Sequence, residues 1–86
     1  MSVVRFTPNL ARHVACPPVD ANGATLGEIL ADAFAQSPAA RDYVLDEQGA
    51  LRKHIAVFID GEHADVLTSP VKDGAEIWIM QALSGG

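Results

Sequence analysis

Apolar and polar residues alternate in short blocks, and the period changes from block to block. Val3-Val4-Arg5-Phe6-Thr7 steps with period two. Val4 and Phe6 share one face, and Val3, Arg5 and Thr7 the other, which predicts an opening strand ended by Pro8-Asn9. Residues 12–16 read as a second strand, stopped by Pro17-Pro18, and the two runs predict a hairpin. Residues 20–24 read as a loop, and the period then lengthens. Leu26, Ile29, Leu30, Ala33 and Phe34 recur at helical spacing, with Asp32 and Gln36 off the stripe. Thr25 stands as the N-cap, and Glu28 three residues later completes a capping box. Gly27 in the first turn costs up to about 1 kcal/mol against alanine. Ser37-Pro38 closes this helix. The same pair opens a short second helix through residue 43, with Ser37 as cap and Pro38 at the first helical position.

Beyond residue 45 the period returns to two. Asp46-Glu47-Gln48-Gly49 is a turn. Ile55-Ala56-Val57-Phe58-Ile59 is the clearest strand of the chain, and Asp60-Gly61 a tight turn after it. A short, irregular strand is expected at residues 63–67, a loop with a second turn at Asp73-Gly74, and a final strand at residues 76–82. One amphipathic helix and a shorter one facing a mixed sheet of four or five strands predict a two-layer α+β domain over residues 1–82. Residues 83–86 are expected to follow it as a flexible tail. The first and last strands are expected side by side and parallel at the sheet centre.

The two strongest strands are apolar on both faces. Ile55, Val57, Ile59, Ile77 and Ile79 are assigned, with Val4 and Phe6, to the helix side. Ala56, Phe58, Trp78 and Met80 then point outward beside Arg5. Tryptophan, phenylalanine and methionine on an exposed face have the composition of a protein-binding surface. The alternative is that the second helix or a loop folds over that face.

Charge narrows the partners. Six basic residues are scattered among eleven acidic ones, giving a net charge of −5. Nucleic acid requires a basic stripe to meet phosphates, so neither nucleic acid nor an anionic membrane is expected as a partner. The single cysteine, Cys16, cannot form an internal disulfide, which fits a reducing compartment. Residues 1–6 lack the basic region and long apolar stretch of a secretory signal, so a cytoplasmic location is expected.

Candidate chemistry within the body of the chain is sparse. His13, His54 and His63 share no metal-ligand spacing, and no metal or cofactor is expected. Asp46-Glu47 and the Asp60/Glu62 pair read as turn acids rather than a catalytic pair, and no phosphate-cradling glycine loop is present. The chemistry is therefore expected at Ser84-Gly85-Gly86, directly after the last apolar strand. Glycines without Cβ atoms thread narrow slots, and they set the Gly86 carboxylate on a thin tail. Residues 83–86 extended reach about 13 Å. A frayed chain end is the alternative.

Several of these pieces together resemble the ubiquitin-like, β-grasp sulfur carriers of the MoaD/ThiS type. They are the opening strand, the capped helix beginning Thr25-Leu26-Gly27-Glu28, and the segment Ile55-Ala56-Val57-Phe58-Ile59-Asp60-Gly61-Glu62. Pro70-Val71-Lys72-Asp73-Gly74-Ala75-Glu76-Ile77 and the closing Leu83-Ser84-Gly85-Gly86 complete the pattern. The resemblance implies a carrier without catalysis of its own. An ATP-dependent activating enzyme adenylates the Gly86 carboxylate, and a sulfurtransferase or persulfide donor converts it to a thiocarboxylate. That sulfur is then delivered to an acceptor, such as the molybdopterin-synthase large subunit, a thiazole synthase or a cysteine-synthase-like enzyme. The resemblance places docking on the outward sheet face, at Ala56, Phe58, Trp78 and Met80 with Arg5, and makes Ser84 and Gly85 part of the delivered tail. The stretch from about residue 38 to 54 is longer than in the most compact members and resembles the longer carriers, some of which serve amino-acid synthesis. A ubiquitin-like modifier joined to lysines through Gly86, or a plain interaction subunit with an inert tail, are the competing readings.

Overall fold

The computed structural model describes residues 1–7, 18–64 and 66–81. Five strands and two helices occur among them: β1 (Ser2–Phe6), β2 (Val19–Ala21), α1 (Leu26–Gln36), α2 (Pro38–Val44), β3 (Ile55–Ile59), β4 (Glu62–His63) and β5 (Glu76–Gln81). The strands form one mixed sheet in the order β2-β1-β5-β3-β4. β1 and β5 are central neighbours and run parallel, with Val4 opposite Ile77 and Phe6 opposite Ile79. β3 lies antiparallel to β5 on the other side, with Val57 opposite Ile79 and Ile59 opposite Ile77. Because side chains alternate across a strand, these registers stack Phe6, Ile79 and Val57 in one row and Val4, Ile77 and Ile59 in the next.

α1 covers that face. Its buried residues are Leu26, Ile29, Leu30, Ala33 and Phe34, the stripe set by the helical period. They join Val4, Phe6, Val57, Ile77 and Ile79 in one core, which α2 closes with Ala40 and Val44. The capping box forms in both directions. Thr25 Oγ1 accepts from the Glu28 N–H at 3.3 Å, and Glu28 Oε1 accepts from the Ala24 N–H at 3.0 Å. The next orphan donors of the helix start are met by a loop: the Leu26 N–H reaches the Ser69 carbonyl at 2.9 Å, and the Gly27 N–H the Leu67 carbonyl at 2.8 Å. This contact explains the glycine. A Cβ on residue 27 would lie 3.2 Å from the Leu67 carbonyl oxygen, so the close approach favours glycine despite its low helix propensity.

Three local expectations need correction, and two others lie outside the described residues. β1 pairs antiparallel with β2, Val3 opposite Asp20, although Asp20 and Ala21 read as loop. The expected strand at residues 12–16 lies outside the described residues. The short strand after the Asp60-Gly61 turn is Glu62–His63 rather than residues 63–67. The chain leaves the sheet there because its following carbonyls are used by the start of α1. Ser37 precedes Pro38 at the start of α2 as expected, but its side chain makes no cap hydrogen bond; its carbonyl accepts from the Ala40 N–H instead. The last strand is described only to Gln81, so Ala82 and the expected tail lie outside the described residues.

Candidate functional site

The face opposite α1 is built from the other alternation of the central strands. Arg5 stands opposite Trp78, Phe58 opposite Trp78 on the other side, and Ala56 opposite Met80. Phe58 also pairs with His63 across β3 and β4, their rings tilted by 50° with centroids 5.3 Å apart. A row Arg5–Trp78–Phe58–His63 therefore crosses the sheet, with Met80 and Ala56 beside it towards the C-terminal end of β5.

These side chains are less open than the sequence suggested. Ala56, Phe58, Trp78 and Met80 are all partly buried, and none is fully exposed. The large apolar residues that stand exposed among the described residues are Met1, Tyr43 and Val66. The reason is lateral. On a sheet, paired side chains lie close enough to screen one another, and the polar neighbours of Trp78 screen it further. Glu76 links the two residues of this row nearest β1. Its Oε2 accepts from Arg5 Nε at 2.9 Å, and its Oε1 accepts from Trp78 Nε1 at 3.1 Å. The Arg5 guanidinium carbon lies 6.0 Å from the Trp78 ring centroid, at the outer limit of cation–π attraction. The Glu76 backbone is itself anchored. Its N–H donates to Asp60 Oδ1 at 2.9 Å, and its carbonyl accepts from the Asp60 N–H at 2.8 Å. Asp60 and Gly61 both have positive φ, 50° and 86°, the turn geometry that hairpins favour. Asp60 is thus a turn acid, as its spacing predicted.

β5 carries this face directly into the C-terminal segment. Gln81, its last residue, pairs with Ile55. A shallow groove of about 260 Å³ lies beside this exit, lined by Asp42, Tyr43, Arg52, His54, Ile55 and Gln81. Arg52 is fixed there by a bond from its Nε to the Asp42 carbonyl at 2.9 Å. The stretch between α2 and β3 that builds the rim is held by Asp46. Its Oδ1 accepts from the N–H groups of Gln48 and Ala50 at 2.8 and 3.0 Å. The Ala50 bond, then the Gln48 bond, hold the Asp46 carboxyl below its ordinary value, with smaller help from Arg52 and Gly49. Ser84, Gly85 and Gly86 lie outside the described residues. No group of three or more His, Cys, Asp or Glu side chains that could hold a metal ion occurs among the described residues. No helix among them is long and apolar enough to cross a membrane.

Sequence reasoning placed Arg5, Phe58 and Trp78 on this face by alternation but missed His63 and Glu76, the latter because a charged residue at a strand start reads as a solvated end. Its two-residue spacing from Trp78, which places both on one face, was the available signal.

Comparison with known proteins places this geometry. The family model described as the ThiS family matches residues 11–86. A search of curated proteins returns no match. Among solved structures, SAMP1 from Haloferax volcanii is 30% identical with a TM-score of 0.80, over 99% of this chain and 98% of that one. A chain in the structure of the Amycolatopsis orientalis BexX/CysO complex is 28% identical with a TM-score of 0.82, over 100% of both chains. The complex of subunits 1 and 2 of molybdopterin-converting factor from Helicobacter pylori holds a chain of the same fold, with 21% identity, a TM-score of 0.64, and coverage of 99% and 97%. The β-sheet order, the capped helix and these likenesses agree: the chain has the ubiquitin-like β-grasp fold and belongs to the ThiS family of small carrier and modifier proteins.

Proposed function

We propose that this protein is a sulfur carrier whose Gly86 carboxylate is activated by adenylation and converted to a thiocarboxylate. The observation that carries the reading is continuity. Central strand β5 bears Trp78 and Met80 on the face away from α1, and the sequence runs from it straight into Leu83-Ser84-Gly85-Gly86. An enzyme holding that face would have Gln81, the residue from which the chain runs on to the tail, beside its grip.

The chemistry follows from the functional group. A carboxylate oxygen of Gly86 attacks the α-phosphorus of ATP and expels pyrophosphate, which turns a poor electrophile into an acyl-adenylate with a good leaving group. The terminal sulfur of a persulfide donor attacks the carbonyl carbon and expels AMP. A second thiol on the donor attacks the resulting acyl disulfide. It forms a disulfide with the first thiol and releases the thiocarboxylate. The sulfur anion is a stronger nucleophile than the oxygen it replaces and attacks the acceptor enzyme's substrate. ATP belongs to the partner, and the carrier supplies no catalytic side chain. Ser84 and Gly85 pass through the partner's channel, and Arg5, Ala56, Phe58, Trp78 and Met80 form the grip. The acceptor is a biosynthetic enzyme of the molybdopterin, thiamine or cysteine type, and the setting is cytoplasmic.

A second reading is favoured by the likeness to SAMP1, a small archaeal modifier protein: Gly86 joined through an isopeptide bond to a lysine of another protein. Both readings require the activated terminus. ATP–pyrophosphate exchange with the activating enzyme of the same genome, run on the full chain and on a chain lacking Gly86, tests that shared step. Exchange that depends on Gly86 supports the proposal; equal exchange, or none with either chain, contradicts it. Delivery of radiolabelled sulfur to a small molecule, rather than appearance of larger conjugates, then distinguishes carrier from modifier.

A further inference from the structure

We propose that Glu76 is a positioning residue that fixes the Trp78 indole in one pose, so that a docking partner meets a pre-ordered aromatic anchor. The inference rests on the reading of the open sheet face as the grip, and it adds a residue that this reading does not use. Three observations carry it. One Glu76 carboxylate spans two neighbours: Oε2 receives the Arg5 Nε–H at 2.9 Å, and Oε1 receives the Trp78 indole N–H at 3.1 Å. Arg5 stands opposite Trp78 in the parallel register, with its guanidinium carbon 6.0 Å from the ring centroid. The Glu76 backbone is held on both sides by Asp60, so the carboxylate hangs from a fixed point.

Stability does not account for this arrangement. Arg5 and Glu76 side chains are 40% and 48% exposed, and ion pairs so open to water add little to folding. Their effect is on geometry. Trp78 has few rotamers, and tying its N–H leaves less freedom to lose when a partner closes over it. Side-chain ordering at an interface opposes binding, and pre-ordering removes part of that cost. Tryptophans and arginines are enriched among the residues that carry most of the binding energy at interface centres.

Trp78 is the single tryptophan of the chain, so its fluorescence reports this site alone. Time-resolved anisotropy of the free protein is expected to show a ring that moves with the whole molecule. Glu76→Ala is expected to add a fast local motion, and Glu76→Gln, which retains an acceptor for the indole, a smaller one. Affinity for the activating enzyme of the same genome is expected to fall roughly 2- to 10-fold in Glu76→Ala, the cost of ordering one side chain on binding. That loss is expected to vanish when Trp78→Ala is already present, with the thermal midpoint of Glu76→Ala close to the parent's. Unchanged anisotropy in Glu76→Ala overturns the clamp, as does an affinity loss that persists in the Trp78→Ala background. Wild-type affinity in Trp78→Ala instead overturns the grip on which the clamp depends, whatever the anisotropy shows.

Discussion

Ile79 and Met80 are neighbours in β5 whose side chains point to opposite faces, so truncating each in turn separates core from grip. Ile79 is fully buried between Phe6 and Val57 under α1. Ile79→Ala removes three carbons, about 2.4 kcal/mol of transfer free energy at about 0.8 kcal/mol each. A residual cavity raises the expected loss into the range of about 2–5 kcal/mol. A domain of this size has a total stability of roughly 4–13 kcal/mol, so that loss is a large share of it. The unfolding midpoint should fall by at least about 8 °C, since each kcal/mol moves it by about 4–8 °C in a small domain. Met80 is only partly buried and faces the small side chain of Ala56. Met80→Ala should cost about 1 kcal/mol, near the centre for ordinary substitutions. Thermal and urea unfolding followed by far-ultraviolet circular dichroism measure both. Partner affinity, measured where both variants are folded, should fall for Met80→Ala and stay near the parent value for Ile79→Ala. A Met80→Ala variant as destabilised as Ile79→Ala would place the core on the other face and refute the assignment.

Two further outcomes follow from local geometry. Thr25→Ala removes the acceptor for the Glu28 N–H at the start of α1. It should lower stability by about 1 kcal/mol in urea unfolding, with Thr25→Ser recovering most of it. Asp46 binds its proton less readily when folded, because the Ala50 and Gln48 N–H groups stabilise its carboxylate. The contribution of that loop to stability is therefore present above the ordinary aspartate value of 3.8 and lost as pH falls through the lower folded value. Chemical shifts of the Gln48 and Ala50 amides should titrate together below that pH. Amide shifts that stay flat, or that titrate at the ordinary value, would count against this loop geometry.

Much of the fold was legible because local signals and burial agree there. The α1 stripe, its capping box and β3 each combine a clear period with the matching residue types, and all three occur as the sequence implies. The parallel pairing of β1 with β5, expected from topology rather than shown by any period, also occurs. β2 escaped because it is only three residues of Val19, Asp20 and Ala21, with two weak strand formers, and it exists through its pairing with β1. β4 was misplaced for a tertiary reason: the Leu67 and Ser69 carbonyls go to the start of α1, which no strand period reveals. At the candidate site, alternation placed Phe58, Trp78 and Met80 on one face. It could not show how far neighbouring side chains screen them, because screening depends on register. Glu76 joined the site only when its two carboxylate oxygens were seen to reach two different partners.

The central claim concerns one atom, the carbonyl carbon of Gly86. Intact-mass measurement after incubation with ATP, the activating enzyme and a persulfide donor tests it most directly. The account predicts a mass gain equal to one oxygen replaced by sulfur, located by fragmentation at Gly86 and absent when Gly86 is removed. An unchanged mass with active partner enzymes present, or sulfur found on any other residue, would contradict it.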